Sequence, residues 1–191
     1  MRFFAFVLVA LGFFNSQASA AGLAITPSLT IVNLGDQVVL DLDAEFLGDG
    51  VAPSIGSFDI DVLYDQDSLA FVSVDFGMGL DLFGFGSLQT FDAGVPGIVN
   101  IAEMSLDLPS DLDALQMSSF TLATLVFDTL KVGTSIVTAS VNSAFDAEGV
   151  EPIVFEVLTG TVTVVPVPGA LPLMLSAILG GIGLRRWRAR A

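Results

Sequence analysis

Residues 56–77 read GSFDIDVLYDQDSLAFVSVDFG, and this stretch decides the fold. Phe58, Ile60, Val62 and Tyr64 alternate with Asp59 and Asp61. Period-two spacing sends one set inward and the other toward water, which is the mark of a half-buried strand. Asp65–Ser68 then supplies turn residues, whose short polar side chains can bond nearby backbone. A second apolar run, Leu69–Phe76, follows directly.

The same pattern extends in both directions. Leu40, Leu42, Ala44 and Phe46 alternate with Asp41, Asp43 and Glu45. The mixed apolar run Thr121–Phe127 predicts a central strand covered on both faces. Further strands are expected over 28–32, 98–106, 135–142 and 153–165, with turn signals at 33–36, 48–50, 92–97 and 131–133. The one helical candidate is Ser110–Met117, with Ser110 as its cap and Asp111 and Asp113 in its first turn. Eight or nine strands at this spacing predict an all-β chain built as a single antiparallel β-sandwich of jelly-roll type.

Composition narrows the chemistry. The chain has 191 residues, no cysteine and no histidine. Disulfides, thiolate metal sites and a Ser-His-Asp triad are therefore excluded. All 21 acidic residues lie between Asp36 and Glu156, where Lys131 is the only cation, so that span carries a formal −20. Such a domain repels nucleic-acid phosphates and anionic lipid headgroups and attracts cations. Two explanations of the charge stay open, solubility alone and a structural calcium ion.

Both ends look like targeting segments. Residues 1–20 hold Arg2, the apolar run Phe3–Phe14 and an Ala-x-Ala site at Ala18 and Ala20, as in a secretory signal peptide cleaved after Ala20. The C-terminal segment 166–191 begins at a Pro-x-Pro motif (Val165, Pro166, Val167, Pro168, Gly169), continues through the apolar stretch 170–184, and ends in Arg185, Arg186, Trp187, Arg188 and Arg190. As a helix that stretch spans only ~22 Å, against ~30 Å of hydrocarbon. The arginines would stay cytoplasmic, which puts the acidic domain, residues 21–165, outside the inner membrane. At these residues the tail resembles a PEP-CTERM sorting signal. The resemblance implies an exosortase as processing partner, a Gram-negative host, a cell-surface or extracellular destination, and a link to biofilm or exopolysaccharide. Val167 stands where that family usually has glutamate. An ordinary C-terminal membrane anchor is the alternative.

Between the tails the chain resembles cohesin-like domains. Asn33–Leu40 is similar to that family's Gly-Asp strand entry, residues 56–77 to its strand–turn–strand signature, and Leu122–Phe127 followed by Val132-Gly133-Thr134 to its C-terminal strands. The resemblance implies a jelly-roll sandwich acting as a non-enzymatic protein-interaction or adhesion module. It assigns no partner, because a fold does not fix a function.

Several side chains are candidate sites. Calcium needs six to eight oxygens, which loops supply better than strands. Asp65 and Asp67, and separately Asp107, Asp111 and Asp113, are the candidates; a solvated surface is the alternative for both groups. The glycine-rich stretch Phe76–Phe91 holds more large apolar residues than one core can take, so Phe83 and Phe85 are candidate binding-surface residues. A loop folded back over a sheet edge explains the same stretch. A carbohydrate-binding module is the second functional class, disfavoured by the lack of tryptophan between the tails. A two-carboxylate glycoside hydrolase is the third; with 21 acids, some pair would always fit its spacing.

Overall fold

A computed structural model describes residues 21–167. Residues 1–20, read above as a signal peptide with Ala18 and Ala20, lie outside the described residues, as do Pro168, Gly169, the apolar stretch and the arginines. The described residues form eleven strands and one short helix: β1 (Ala21–Pro27), β2 (Ile31–Asn33), β3 (Gln37–Glu45), β4 (Ile55–Leu63), β5 (Leu69–Phe76), β6 (Leu88–Asp92), β7 (Ile98–Met104), α1 (Pro109–Leu115), β8 (Phe120–Thr129), β9 (Gly133–Asp146), β10 (Phe155–Leu158) and β11 (Gly160–Val165). No helix among the described residues is long and apolar enough to cross a membrane.

The strands make two sheets, β10-β1-β3-β8-β5 and β2-β11-β9-β4-β7-β6. The expected sandwich is therefore present, with more strands than the eight or nine anticipated. Most neighbours are antiparallel, but β1 runs parallel to β10 and β11 parallel to β2. The core lies between the sheets and is made by the predicted alternation. Val38, Leu40, Leu42 and Ala44 of β3 face Phe58, Ile60 and Val62 of β4, all buried. Phe127 is wholly buried beneath the half-buried rings of Tyr64 and Phe71.

Two local expectations need correction. β8 is interior to its sheet, yet only one of its faces is covered: Thr124 and Val126 point outward and are half-buried. A bulge opposite Leu42 and Asp43 lets both Leu122 and Ala123 turn inward, which made the run read as buried throughout. The helix starts earlier than Ser110. Its cap is Leu108, without a side-chain cap bond, and Pro109 opens the first turn. Proline suits that position because its missing N–H would have no intrahelical partner there.

The register defines two poles. One gathers the ends of β3, β5 and β7 with the starts of β4, β8 and β6. The other holds the turns at 33–36, 65–68 and 93–97, together with the end of β11. At the first pole Gln116, 2% exposed, ties three segments together. Its Oε1 accepts from the Ile55 N–H at 2.7 Å, and its Nε2 donates to the carbonyls of Ile55 at 3.0 Å and Gly79 at 2.9 Å. Gln116→Ala leaves a buried N–H without its acceptor. The expected cost is about 2–3 kcal/mol, read as a lower midpoint in urea unfolding.

Candidate interaction face

The outer surface of β9-β4-β7-β6 is an open sheet face whose polar residues come from three strands. Asp59 and Asp61 share it because they are two apart on β4. Antiparallel pairing places Ala102 and Ser143 beside Asp59, and Asn100 and Ser140 beside Asp61. The Asn100 amide donates to Asp59 Oδ1 at 2.7 Å and to Asp61 Oδ1 at 2.8 Å. Asn142, displaced by a bulge in β9, donates to Asp59 Oδ1 at 3.1 Å. One amide group thus holds two like charges side by side. Oδ2 of each carboxylate takes no part in these bonds, so the strip suits an incoming donor or cation.

Apolar side chains flank the strip. Ser57 pairs with Met104 and Phe145, and Met104 pairs with Leu88 of the edge strand β6. Met104 is 52% exposed and Leu88 58%. These residues surround a depression of about 360 Å³ that reaches Asp59 and Thr90. A charged strip beside an exposed apolar pair has the make-up of a protein-binding surface, with an apolar centre and a polar border.

The opposite sheet presents a different outer face. Asp41 and Asp43 accept hydrogen bonds from Thr124 at 2.7 Å and Thr121 at 2.6 Å. Its outward apolar residues on β3, β8 and β5 are small: Val39, Val126, Ala70 and Val72. Acidity is common to both faces, and this sheet exposes Phe46 and Leu158 toward its β1-β10 edge; what distinguishes the larger sheet is the aspartate pair bridged by Asn100 beside Leu88 and Met104.

The candidate residues named from sequence fall elsewhere. Asp65 and Asp67 sit at the pole where β11 ends. Asp107, Asp111 and Asp113 sit at the opposite pole, so the two groups are not brought together. Asp65 is occupied by its own turn: Oδ2 accepts from the Ser68 hydroxyl at 2.6 Å and Oδ1 from the Asp67 N–H at 3.0 Å. The Ser68 bond, then the Asp67 amide, hold its carboxyl below the ordinary aspartate range, and Lys131 adds to this. Asp107 accepts from the Leu82 N–H at 2.7 Å and Asp113 from the Ser54 hydroxyl at 2.5 Å. Asp111 lies in the first turn of α1. Among the described residues no three carboxylates converge to hold a metal ion.

Phe83 and Phe85 are exposed, Phe85 by 84%, with ring centroids 6.1 Å apart. They lie on the loop before β6, at the pole of α1, where Met78, Leu82, Leu115, Met117 and Phe120 line an apolar groove. Leu80 of the same loop is buried in the core. The loop therefore both covers the sandwich end and exposes its aromatic tip.

Sequence reasoning passed over Glu103. Strand β7 points Val99, Ile101 and Glu103 inward, and Glu103 is 2% exposed. Its Oε1 accepts from the Ser87 hydroxyl at 2.5 Å and the Gln89 amide at 2.9 Å, while Oε2 is buried without a hydrogen-bond partner. Burial pushes this carboxyl above the ordinary glutamate range; the Ser87 and Gln89 bonds oppose the rise and the nearby Asp81 charge adds to it. The signal was the strand register itself, which continues the inward series Val99 and Ile101 to an ionisable residue.

Two facing sheets of five and six strands, with an open mixed face on the larger, place the chain in the class of jelly-roll sandwiches. Within that class its fold is cohesin-like. A type I cohesin solved with its dockerin from Clostridium thermocellum superposes with a TM-score of 0.62 at 14% identity, over 77% of this chain and 100% of the cohesin chain. A type II cohesin domain from the cellulosome of Acetivibrio cellulolyticus gives 0.62 at 17%, over 75% and 95%. A non-cellulosomal cohesin from Archaeoglobus fulgidus gives 0.58 at 14%, over 80% and 96%. No protein-family model and no curated protein matches the sequence.

Proposed function

We propose that this chain is an exported, non-catalytic interaction module that docks a protein partner on the outer face of β9-β4-β7-β6. One observation carries the proposal: the Asp59–Asn100–Asp61 strip lies beside the exposed Leu88 and Met104. Cohesins of the same fold, solved in complex with dockerins from Clostridium thermocellum and Acetivibrio cellulolyticus, support a protein as the ligand class. The −20 charge of the domain calls for a partner surface that is basic, or at least not acidic.

The C-terminal segment serves, in this proposal, as an exosortase-type sorting signal that delivers the domain to the surface or matrix of a Gram-negative cell. Its tripartite sequence supports this, as does the end of β11 at Val165, immediately before Pro166. Proline cannot donate to a ladder, so the sandwich closes where the tail begins. The test compares full-length protein with a variant lacking residues 166–191, each located by surface labelling and fractionation. Surface display is expected to be lost on truncation. Display retained without the tail contradicts the sorting role.

A further inference from the structure

Edge strand β6 carries the apolar rim of the proposed docking face and is held by its ladder to β7 and by Phe91 against Phe71. All five of its residues are exposed, and among the described residues its only strand neighbour is β7. The loop before it spans 77–87 and includes exposed Phe83 and Phe85. Beneath this segment lies Glu103, which binds it at two points, Ser87 and Gln89, through a single oxygen.

The geometry points to Glu103 as a positioning residue and pH-sensitive latch: its neutral carboxyl holds β6 against the sheet, and ionisation loosens the rim of the docking face. This deepens the proposed function, on whose choice of face it rests.

The groups around the carboxyl make the neutral form the closed one. Phe58 of β4 pairs with Glu103, and Ile101 precedes it on the inward side of β7; both are buried and apolar. The inward residues of β3 and β8 across the core, such as Leu42, Ala44 and Leu122, are apolar as well. Ser87 and Gln89 approach from the β6 side and are uncharged. The charged neighbour is Asp81, of the same sign. An ionised Glu103 would thus bury a charge whose Oε2 has no donor, facing another carboxylate. Opening the segment admits water and returns the carboxyl to the ordinary range near 4.5.

The sign follows from linkage. The closed-state pKa lies above the open-state value, so closure is fully favoured below the open value and weakens as pH rises through the closed value. Each unit of separation changes the opening equilibrium about tenfold. Above the closed value no further change is expected.

Hydrogen exchange on the full-length chain between pH 4 and pH 8, corrected for intrinsic exchange, tests this. Protection of the ladder-bonded amides within 88–92 should fall with rising pH, while amides of β4 stay level. Glu103→Gln, which keeps the acceptor and cannot ionise, should hold 88–92 protected at all pH values. A wild-type profile that is flat at 88–92, or a Glu103→Gln profile as steep as wild type, overturns the latch. Carboxyl carbon NMR of the wild type gives an answer that needs no variant: Glu103 should titrate above the ordinary glutamate range, and titration within that range overturns the proposal. Neither readout involves a partner, so failure to find one leaves this test intact.

Discussion

Phe127→Ala is expected to lower the unfolding free energy by about 3–5 kcal/mol. Phe127 is wholly buried, and its ring meets Tyr64 edge-on at 4.9 Å and Phe71 at 5.8 Å. Phe71 in turn meets Phe91 of the edge strand at 6.1 Å, the rings tilted by 55°. The ring thus links β8 to β5 in its own sheet and to the end of β4 in the other. Truncation removes the burial of a full aromatic ring and leaves a cavity that rigid neighbours cannot close. A domain of this size has about 5–15 kcal/mol in total, so the loss is a large share. Urea unfolding followed by circular dichroism measures it. Phe127→Leu, which keeps most of the volume, should cost roughly a third as much. A loss below about 1 kcal/mol for the alanine variant would mean that this cluster is not central to the core.

Asp59→Arg is expected to weaken partner binding at least about thirtyfold, near 2 kcal/mol, while leaving the fold intact. The substitution removes the acceptor shared by Asn100 and Asn142 and places a cation where the face offers an anion. Asp59 is half-buried on the wet side of β4, so an arginine can extend into solvent without entering the core. Asp41→Arg on the opposite sheet changes net charge by the same amount and loses a hydrogen bond to Thr124. It therefore separates the local strip from the general acidity. Binding to the endogenous partner, measured by interferometry with both variants, should fall for Asp59→Arg and change less than threefold for Asp41→Arg. Equal losses would assign the effect to net charge alone.

Much of the sandwich was legible along the chain. The alternation at Phe58–Tyr64 falls on β4, which starts earlier, at Ile55, and ends at Leu63; Asp65–Ser68 became a turn closed by its own side chains; 98–106 contained β7, and 135–142 is the middle of the longer β9. Four strands were harder to see, each for a physical reason. β1 begins at Ala21, directly after the apolar residues read as a signal peptide. β6 hides in a glycine-rich stretch and keeps no buried face, so it lacks the alternation that marks a strand. β10 and β11 read as one run because Thr159 alone separates them; the chain leaves one sheet and joins the other there.

The interaction face was not legible, because it is assembled across long sequence distances. Asp59 and Asn100 are 41 residues apart, and Asp59 and Asn142 are 83. Sequence fixes which way each side chain points on its own strand. It does not say that β4 lies between β7 and β9. The aspartates of β4 therefore looked like any solvated pair, while the turn aspartates drew notice as calcium candidates. In the fold Asp65, Asp107 and Asp113 accept local hydrogen bonds from Ser68, Leu82 and Ser54.

The docking face can be tested most directly by photo-cross-linking in the producing cells. A photoreactive amino acid at Met104, exposed beside Leu88, should form an adduct with one discrete polypeptide; the same group at Val39, on the outer face of the other sheet, should not. Asp59→Arg in the same chain should abolish the adduct. An adduct formed from Val39 and absent at Met104 would contradict the account.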